Sequence, residues 1–299
     1  MRNMFDEVQA NKIRSVVLVS FFFVLISGLG ITLGALYNNI YFGFGLALIV
    51  SIIYLSISWF SGDKMILSMA GAKPVTKKEF PYLYHTVEGI ALAAGLPTPK
   101  AYVIDDPSLN AFATGRDPEN SAIAVTTGLM KKLNRQELEG VVAHEMSHIK
   151  NYDIRFMMLV SLLIGVVVLL SDFIFRTFIW GGNRRRSSDS GKGAGMIILI
   201  GIVLAILAPI FAQMIRFAVS RKREYLADAN GALLTRYPKG LANALRKISE
   251  DPNPLDRKAN RSMTHLFISN PLKRERKGRN SFFATHPPIQ DRIKRLEEM

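Results

Sequence analysis

From Ser15 to Leu36 the chain carries no charged residue, and after Tyr37-Asn38-Asn39 a second uncharged run extends from Ile40 to Phe60. Each run is long enough to cross the hydrocarbon core of a bilayer. In that core a single stretch of backbone can satisfy its own hydrogen bonds only as a helix. This pair limits the possible folds more than any other feature of the chain, and it predicts a hairpin of two membrane helices. No small-residue cleavage site with a polar start follows the first run, so the hairpin is read as retained and not as a removed signal. Lys and Arg flank the pair on its outer ends and are absent from the link. The positive-inside rule then puts the N-terminus and everything after Lys64 in the cytoplasm.

Two further apolar runs follow, Phe156 to Ser171 and Met196 to Ile215. The third passes into Asp172 and Arg176, four apart and able to neutralise each other, among interfacial aromatics such as Phe178 and Trp180. A Gly/Ser-rich loop with Arg184-Arg185-Arg186 lies between the two runs. Full spanning would put that loop outside, against the charge rule. Residues 156–215 are therefore either a second transmembrane hairpin that overrides the rule or a membrane-embedded one that does not cross. The expected organisation is a cytoplasmic head over 1–14 and a membrane hairpin over 15–60. A first soluble part over 61–155 precedes the second apolar pair over 156–215, and a second soluble part covers 216–299.

The net charge is +14 and the isoelectric point about 10.0. For a membrane chain, anionic lipid headgroups are the simplest partner for that excess. Nucleic acid is the rival partner and is not expected, because the basic runs at Arg184 and at Lys273 to Lys277 have neither interleaved aromatics nor a recognisable module. With no cysteines, disulfides and thiolate metal sites are excluded too.

In the first soluble part, Thr76 to Ala94 reads as a helix capped by Thr76 and closed by Gly95. Ala101 to Ile104, Ala122 to Thr126 and the weaker Ala111 to Thr114 read as strands separated by turn residues. A small antiparallel sheet is expected from them. A last helix is expected to open at Pro287-Pro288.

The chemistry is concentrated in Asn134 to Asp153. Asn134 with Glu137 three residues on gives the reciprocal capping pattern of a helix start, and Leu138, Val141, Val142 and Ile149 form an apolar stripe. On that helix lies His144-Glu145-Met146-Ser147-His148. Residues four apart stack on one helix face, so both imidazoles reach one metal ion, and Glu145 can address a water on it. Only five histidines occur in the chain, which makes this spacing by chance improbable. A catalytic zinc ion takes three protein ligands and keeps one open position. The positions where one large class has a Gly and a third His hold Asn151 and Ile154, so that class is excluded. A Glu remains, from Glu79, Glu88, Glu224 or Glu250. Glu224 fits best, because it stands about as far beyond Ile215, roughly 13.5 Å on a helix, as His148 stands before Phe156, roughly 12 Å. Asp228, one turn on, suits the second ring nitrogen of a ligand His.

Two membrane helices, His144-Glu145-x-x-His148, a second apolar pair and Ser220-Arg-x-Arg-Glu224-x-x-x-Asp228 together closely resemble the HtpX family. Its members are bacterial heat-shock membrane proteases related to the type I CAAX prenyl proteases. The likeness runs over essentially the whole chain and includes Asn110-Ala111-Phe112-Ala113-Thr114-Gly115 and His286-Pro287-Pro288 with Arg292. It implies a mainly α membrane protein with four apolar helices and a cytoplasmic zincin-type domain whose third ligand is a Glu. One Zn2+ per subunit would be held by His144, His148 and Glu224, with Glu145 as catalytic base. His286 would stabilise the oxyanion, with Arg292 as a helper. Asn110, Ala111 and Phe112 would bind an extended substrate along a sheet edge. The expected activity is endoproteolysis of misfolded or damaged membrane proteins at the cytoplasmic face of the bacterial inner membrane, in the stress response. The rival expectations are a CAAX-type prenyl endopeptidase and a non-catalytic zinc-binding membrane scaffold; the presence of Glu145 speaks against the scaffold.

Overall fold

The computed structural model describes residues 4–36, 39–164, 221–251, 266–268 and 287–299. Two long helices open the chain, α1 at Met4–Leu36 and α2 at Ile40–Met69, the second capped by the Asn39 side chain on Phe42 N–H at 3.0 Å. Their segments Val8–Gly28 and Ile40–Met69 are long and apolar enough to cross a membrane. Both helices overrun their apolar stretches. α1 starts well before Ser15, so Asn11 and Arg14 share its rod, and α2 carries Asp63 and Lys64 on its last turns. Val16, Val24, Ile49 and Phe60 are left exposed on the outer faces, as lipid contact requires. Inward, Leu18 and Phe22 of α1 pack with Tyr54 and Leu55 of α2 on Phe156, Leu159, Val160 and Leu163. Those last four lie on a helix over 153–164, α6. The rest of the third run and the whole fourth run lie outside the described residues, so two of the four expected apolar helices are described in full.

The sheet has strands β1 (Ala72–Pro74), β2 (Lys100–Ile104), β3 (Ala111–Asp117) and β4 (Asn120–Thr126), in the order β1-β2-β4-β3. The expected antiparallel sheet is corrected to a mixed one, since β2 pairs β4 in parallel while β1–β2 and β3–β4 are antiparallel. The cause is the tight link at Asp117, whose Oδ1 accepts from Asn120 N–H at 2.8 Å. It folds β4 back inside β3, so β4 lies between β3 and β2 and must run with β2. Gly115, at φ 142°, sits at the register shift; a Cβ there would stand 2.3 Å from Asn120 O. β1 was not expected; its three residues, Ala72-Lys73-Pro74, include no β-branched or aromatic side chain.

Alternation along the strands gives the sheet two buried faces. Ala111, Ala113, Ile123 and Val125 face a core with Leu83, Val87, Leu138, Val142, Leu241 and Ile293. Phe112, Ala122 and Ala124 face the other way, onto Ile66 of α2, Met158 and Leu162 of α6, and Phe267. The sheet is thus a plate between the half built on residues 135–150 and the C-terminal end of α2 with α6.

Helix α3 covers Pro81–Ala94, closed by Gly95 at φ 67°. The start expected at Thr76 is corrected. Thr76 and Glu79 do make a reciprocal cap, Glu79 N–H donating to Thr76 Oγ1 at 3.4 Å and Thr76 N–H to Glu79 Oε2 at 3.2 Å, but the turn ends there. Pro81 bars Phe80 from the helical region, and Phe80 sits at φ −133°, ψ 64°. α4 (Thr127–Lys132) leads into α5 (Arg135–Lys150), where the capping box is complete: Glu137 N–H donates to Asn134 Oδ1 at 3.0 Å and Asn134 N–H to Glu137 Oε2 at 2.8 Å. α7 (Arg221–Thr235), α8 (Pro238–Glu250) and α9 (Ile289–Glu297) complete the described part. α5 is the central rod, with α7, α8 and α3 packed around it.

Candidate metal centre

The helical period of α5 stacks His144 and His148, with ring centroids 4.9 Å apart and planes at 90°. Glu224 enters from the first turn of α7, which packs along α5 so closely that a Cβ on Gly231 would stand 3.1 Å from His144 N. One donor atom from each of His144, His148 and Glu224 lies within 4.8 Å of the other two. Glu224 carboxylate oxygens stand 3.8 Å from His144 Nε2 and 3.5 Å from His148 Nε2. A tetrahedral cation with bonds of about 2.1 Å sets neighbouring donors about 3.4 Å apart, so the triad fits such an ion.

Each imidazole presents Nε2 because its Nδ1 is held. Asp228 Oδ1 lies 2.9 Å from His144 Nδ1, and Asp153 Oδ2 lies 2.9 Å from His148 Nδ1. Both carboxylates are themselves tied. Arg292 grips Asp228 with two bonds, Nε at 2.9 Å and Nη2 at 2.7 Å, and its Nη1 donates to Ile268 O at 3.2 Å. Arg223 Nη1 reaches Asp153 at 3.3 Å, and Asn11 Nδ2 donates to it at 2.7 Å.

The ligand-holding helix was expected to run on toward Phe156. It stops instead: Tyr152 adopts a left-handed φ of 60°, and a new helix begins at Asp153. That break turns Asp153 back onto His148. Neither Asp153 nor Asn11 was read from the sequence as part of the site. The available signal was a carboxylate and an amide at the mouths of apolar runs, where a polar group without a partner is costly.

The electrostatics follow from burial. His144, Glu145, His148 and Glu224 are at most 5 % exposed. Burial pushes the Glu145 carboxyl up and the Glu224 charge adds to that; His148, the Ala113 N–H and Arg292 oppose, leaving it at about 7. Burial pushes His148 down, but Asp153 and the charges of Glu224 and Glu145 outweigh it and raise it to about 9. Burial works against the Asp228 charge, yet Arg292 and His144 hold its carboxyl down at about 2. Without metal the raised His148 supplies the positive charge beside Glu224, and a cation between the ligands takes the place of that proton.

Other expected site residues are distributed around this centre. Ala111 begins β3, an edge strand of the sheet, and Asn110 precedes it with its backbone N–H on Thr126 Oγ1 at 3.0 Å. Phe112 sends its ring to the far face, edge-on to Phe267 at 5.1 Å. The outward backbone groups are those of Ala111, whose carbonyl accepts from Ile268 N–H at 3.0 Å, and Ala113, whose N–H faces Glu145. Arg292 is the clamp on Asp228, with Nη1 3.5 Å from Glu224. His286 lies outside the described residues. Of the other Glu candidates, Glu79 is on Thr76 and Glu88 pairs with His85 on an exposed face.

Comparison with known proteins agrees with this geometry. The model of peptidase family M48 matches residues 77–299. A protease HtpX homolog from Dictyoglomus thermophilum is 43% identical over 295 residues, covering 99% of this chain and 94% of its own. Another from Listeria monocytogenes serotype 4a is 44% identical over 305 residues, with 99% and 100% covered. The crystal structure of S. mikatae Ste24p shares the fold at a TM-score of 0.53 and 20% identity, over 98% of this chain and 67% of that one. A metal triad assembled by two helices, at the identity and length of these relatives, leads to one assignment: the chain belongs to peptidase family M48 as an HtpX-type metallopeptidase.

Proposed function

We propose that the chain is a membrane-inserted zinc endopeptidase that cleaves extended segments of misfolded or damaged membrane proteins at the cytoplasmic face, as part of stress-linked quality control. The observation that carries the reading is the meeting of three things at one point: the buried Glu145, the His-His-Glu triad, and the outward edge of β3, whose Ala113 N–H faces Glu145. Two imidazoles and one carboxylate are the donor set of catalytic zinc, which when bound polarises a water and a peptide carbonyl. Glu145, next to His144 on α5, would serve as the base that takes a proton from the attacking water and returns it to the leaving amine. Asp153 and Asp228 keep the ligand rings turned so that Nε2 stays aimed at the ion. A substrate strand added to β3 would be held by main-chain bonds, which favours breadth over sequence preference.

The membrane part of the reading rests on α1 and α2. Their hairpin brings Lys12 and Arg14 to the same side as Lys64. At that level Lys12 lies over the Tyr152 ring at 4.7 Å, Arg155 over Trp59 at 5.1 Å, and Arg116 over Phe60 at 5.4 Å. A collar of cations on aromatics suits anionic headgroups at an interface.

The test is degradation of unfolded casein in detergent by the full chain, by Glu145→Ala and by Glu224→Gln, with and without a zinc chelator. Glu145→Ala is expected to keep its zinc and lose about 10²–10⁴-fold in kcat. Glu224→Gln is expected to lose zinc. Cleavage by Glu145→Ala at the rate of the unaltered chain would overturn the catalytic assignment. Unchanged zinc content in Glu224→Gln would overturn the ligand set.

A further inference from the structure

The first apolar helix carries one fully buried amide, and all of its partners bear on the metal centre or on its own helix. Asn11 on α1 is 0 % exposed. Its Nδ2 donates to Asp153 Oδ1 at 2.7 Å and to the Asn151 carbonyl, at the end of α5, at 3.0 Å. Its Oδ1 accepts from Arg14 Nη1 at 3.0 Å and Arg223 Nη1 at 3.4 Å. The partners fix which way the amide points. A carboxylate and a carbonyl only accept and guanidinium groups only donate, so the flipped amide would set oxygen against oxygen.

We propose that Asn11 is a positioning residue of the metal centre, so that the membrane helix α1 is a structural part of the site and not only its anchor. The inference rests on the zinc reading above. The chain of bonds is short. Asp153 gives one oxygen to His148 Nδ1 at 2.9 Å and the other to Asn11 and Arg223. Arg223 is the neighbour of Glu224 in sequence. Asn11 therefore touches no ligand, but it holds the residue that orients one ligand and bonds the residue beside another.

The physical need is plain. An Asp carboxylate turns freely about its last torsion. With one oxygen on an imidazole and the other unheld, it orients the ring poorly. Donors from Asn11 and Arg223 on the second oxygen fix the plane. No other side chain of this size serves. Leu would leave Asn151 O without this donor, and Asp would set a carboxylate against Asp153. Simple packing of α1 is already done by Leu18 and Phe22, two and three turns on, and would ask for another apolar residue at position 11.

The experiment uses the full chain in detergent with zinc alone as probe, reading the zinc Kd by chelator competition and the absorption of the Co2+-substituted protein. Asn11→Ala removes the amide without new bulk, and Asn11→Asp keeps its shape but reverses its donor. Ser51→Ala is the control; Ser51 is an equally buried polar residue on the other apolar helix, and its Oγ bonds its own helix at Ala47 O at 2.8 Å. Both Asn11 variants are expected to weaken zinc binding by about 10-fold, the lower end for changes around a ligand, and to shift the Co2+ spectrum. Ser51→Ala is expected to do neither. In an Asp153→Asn background, Asn11→Ala is expected to add less than about a further twofold, since coupled residues are not additive. Folded Asn11 variants with an unaltered zinc Kd would overturn the proposal, as would the full loss recurring in the Asp153→Asn background. Failure of both Asn11 variants to accumulate while Ser51→Ala does would make Asn11 a folding residue, and overturns it too. An unaltered chain that binds zinc no tighter than Glu224→Gln would instead sink the zinc reading on which the proposal stands.

Discussion

Glu145 and Glu224 share a pocket with almost no solvent, and without a cation their charges oppose each other. Burial, with Glu224 adding to it, leaves the Glu145 carboxyl at about 7 against an ordinary value of 4.5. A carboxyl raised in the folded state contributes most to stability when protonated. Its contribution is full below pH 4.5 and is lost as pH rises through about 7. Glu145→Gln keeps the neutral form at every pH. The metal-free Gln variant is therefore expected to match the unaltered chain near pH 4.5 and to exceed it by about 1–3 kcal/mol above pH 7. Thermal unfolding of the chelator-treated proteins at pH 5 and pH 8 checks this; an equal gain at both would contradict the shared-pocket account. At this scale the sequence was informative wherever partners lie within one helical turn. His144, Glu145 and His148 declared themselves by period, and Asn134 with Glu137 by the capping pattern. Asn11 and Asp153 did not, because they meet across 142 positions of chain and only the folded hairpin brings them together.

The elements around α5 are spaced by missing side chains. A Cβ on Gly140 would stand 2.6 Å from Leu241 N and 2.9 Å from Leu241 Cα, both backbone atoms of α8. Across the same junction, a Cβ on Gly240 would stand 2.6 Å from Gln136 O. Intrinsic helix propensity says that Gly140→Ala should stabilise by about 1 kcal/mol. The backbone contact reverses the sign, since a helix cannot give way as a flexible side chain can. Gly140→Ala is expected to destabilise by about 1–3 kcal/mol, and a urea midpoint at or above that of the unaltered chain would refute the close approach. Read alone, Gly140 was only a weak helix former. The other departures from the sequence reading also arise at junctions. Thr76 and Glu79 form a true cap that Pro81 leaves without a helix. The parallel β2–β4 pair depends on which side of β3 the Asp117 turn folds toward. The end of α5 is set by a left-handed Tyr152 whose ring lies under Lys12 and Arg155 at 4.7 and 4.9 Å. Periodicity predicts the inside of an element, whereas ends and pairings are decided by what the rest of the chain brings up against them.

On the scale of the whole molecule, the sheet transmits the position of the membrane helices to the catalytic half, one face on Ile66, Met158 and Leu162 and the other on α5 and α3. In the membrane-bound state proposed above, the basic collar at the level of Trp59 and Tyr152 would set how the body rests on a bilayer. In nanodiscs the chain is expected to melt higher in phosphatidylglycerol than in phosphatidylcholine, by about 1 kcal/mol per basic side chain near the surface. A variant with Lys12, Arg116 and Arg155 changed to Gln is expected to lose most of that difference, as is the unaltered chain at 1 M salt, where screening is about 3 Å. Equal melting in both lipids would remove headgroups from the account. The outward edge of β3 has a last consequence. An open edge strand is sticky toward any unfolded chain. Here the Ala111 carbonyl is already taken by Ile268 N–H, and the Ala113 N–H is turned toward the Glu145 carboxyl. A polypeptide arriving at this edge exchanges bonds instead of adding them, so its net gain is small. On the proposed reading, an enzyme built this way would hold neither its substrates nor its products tightly, and the two new ends left by a cut would be displaced as the edge reclaims its own partners.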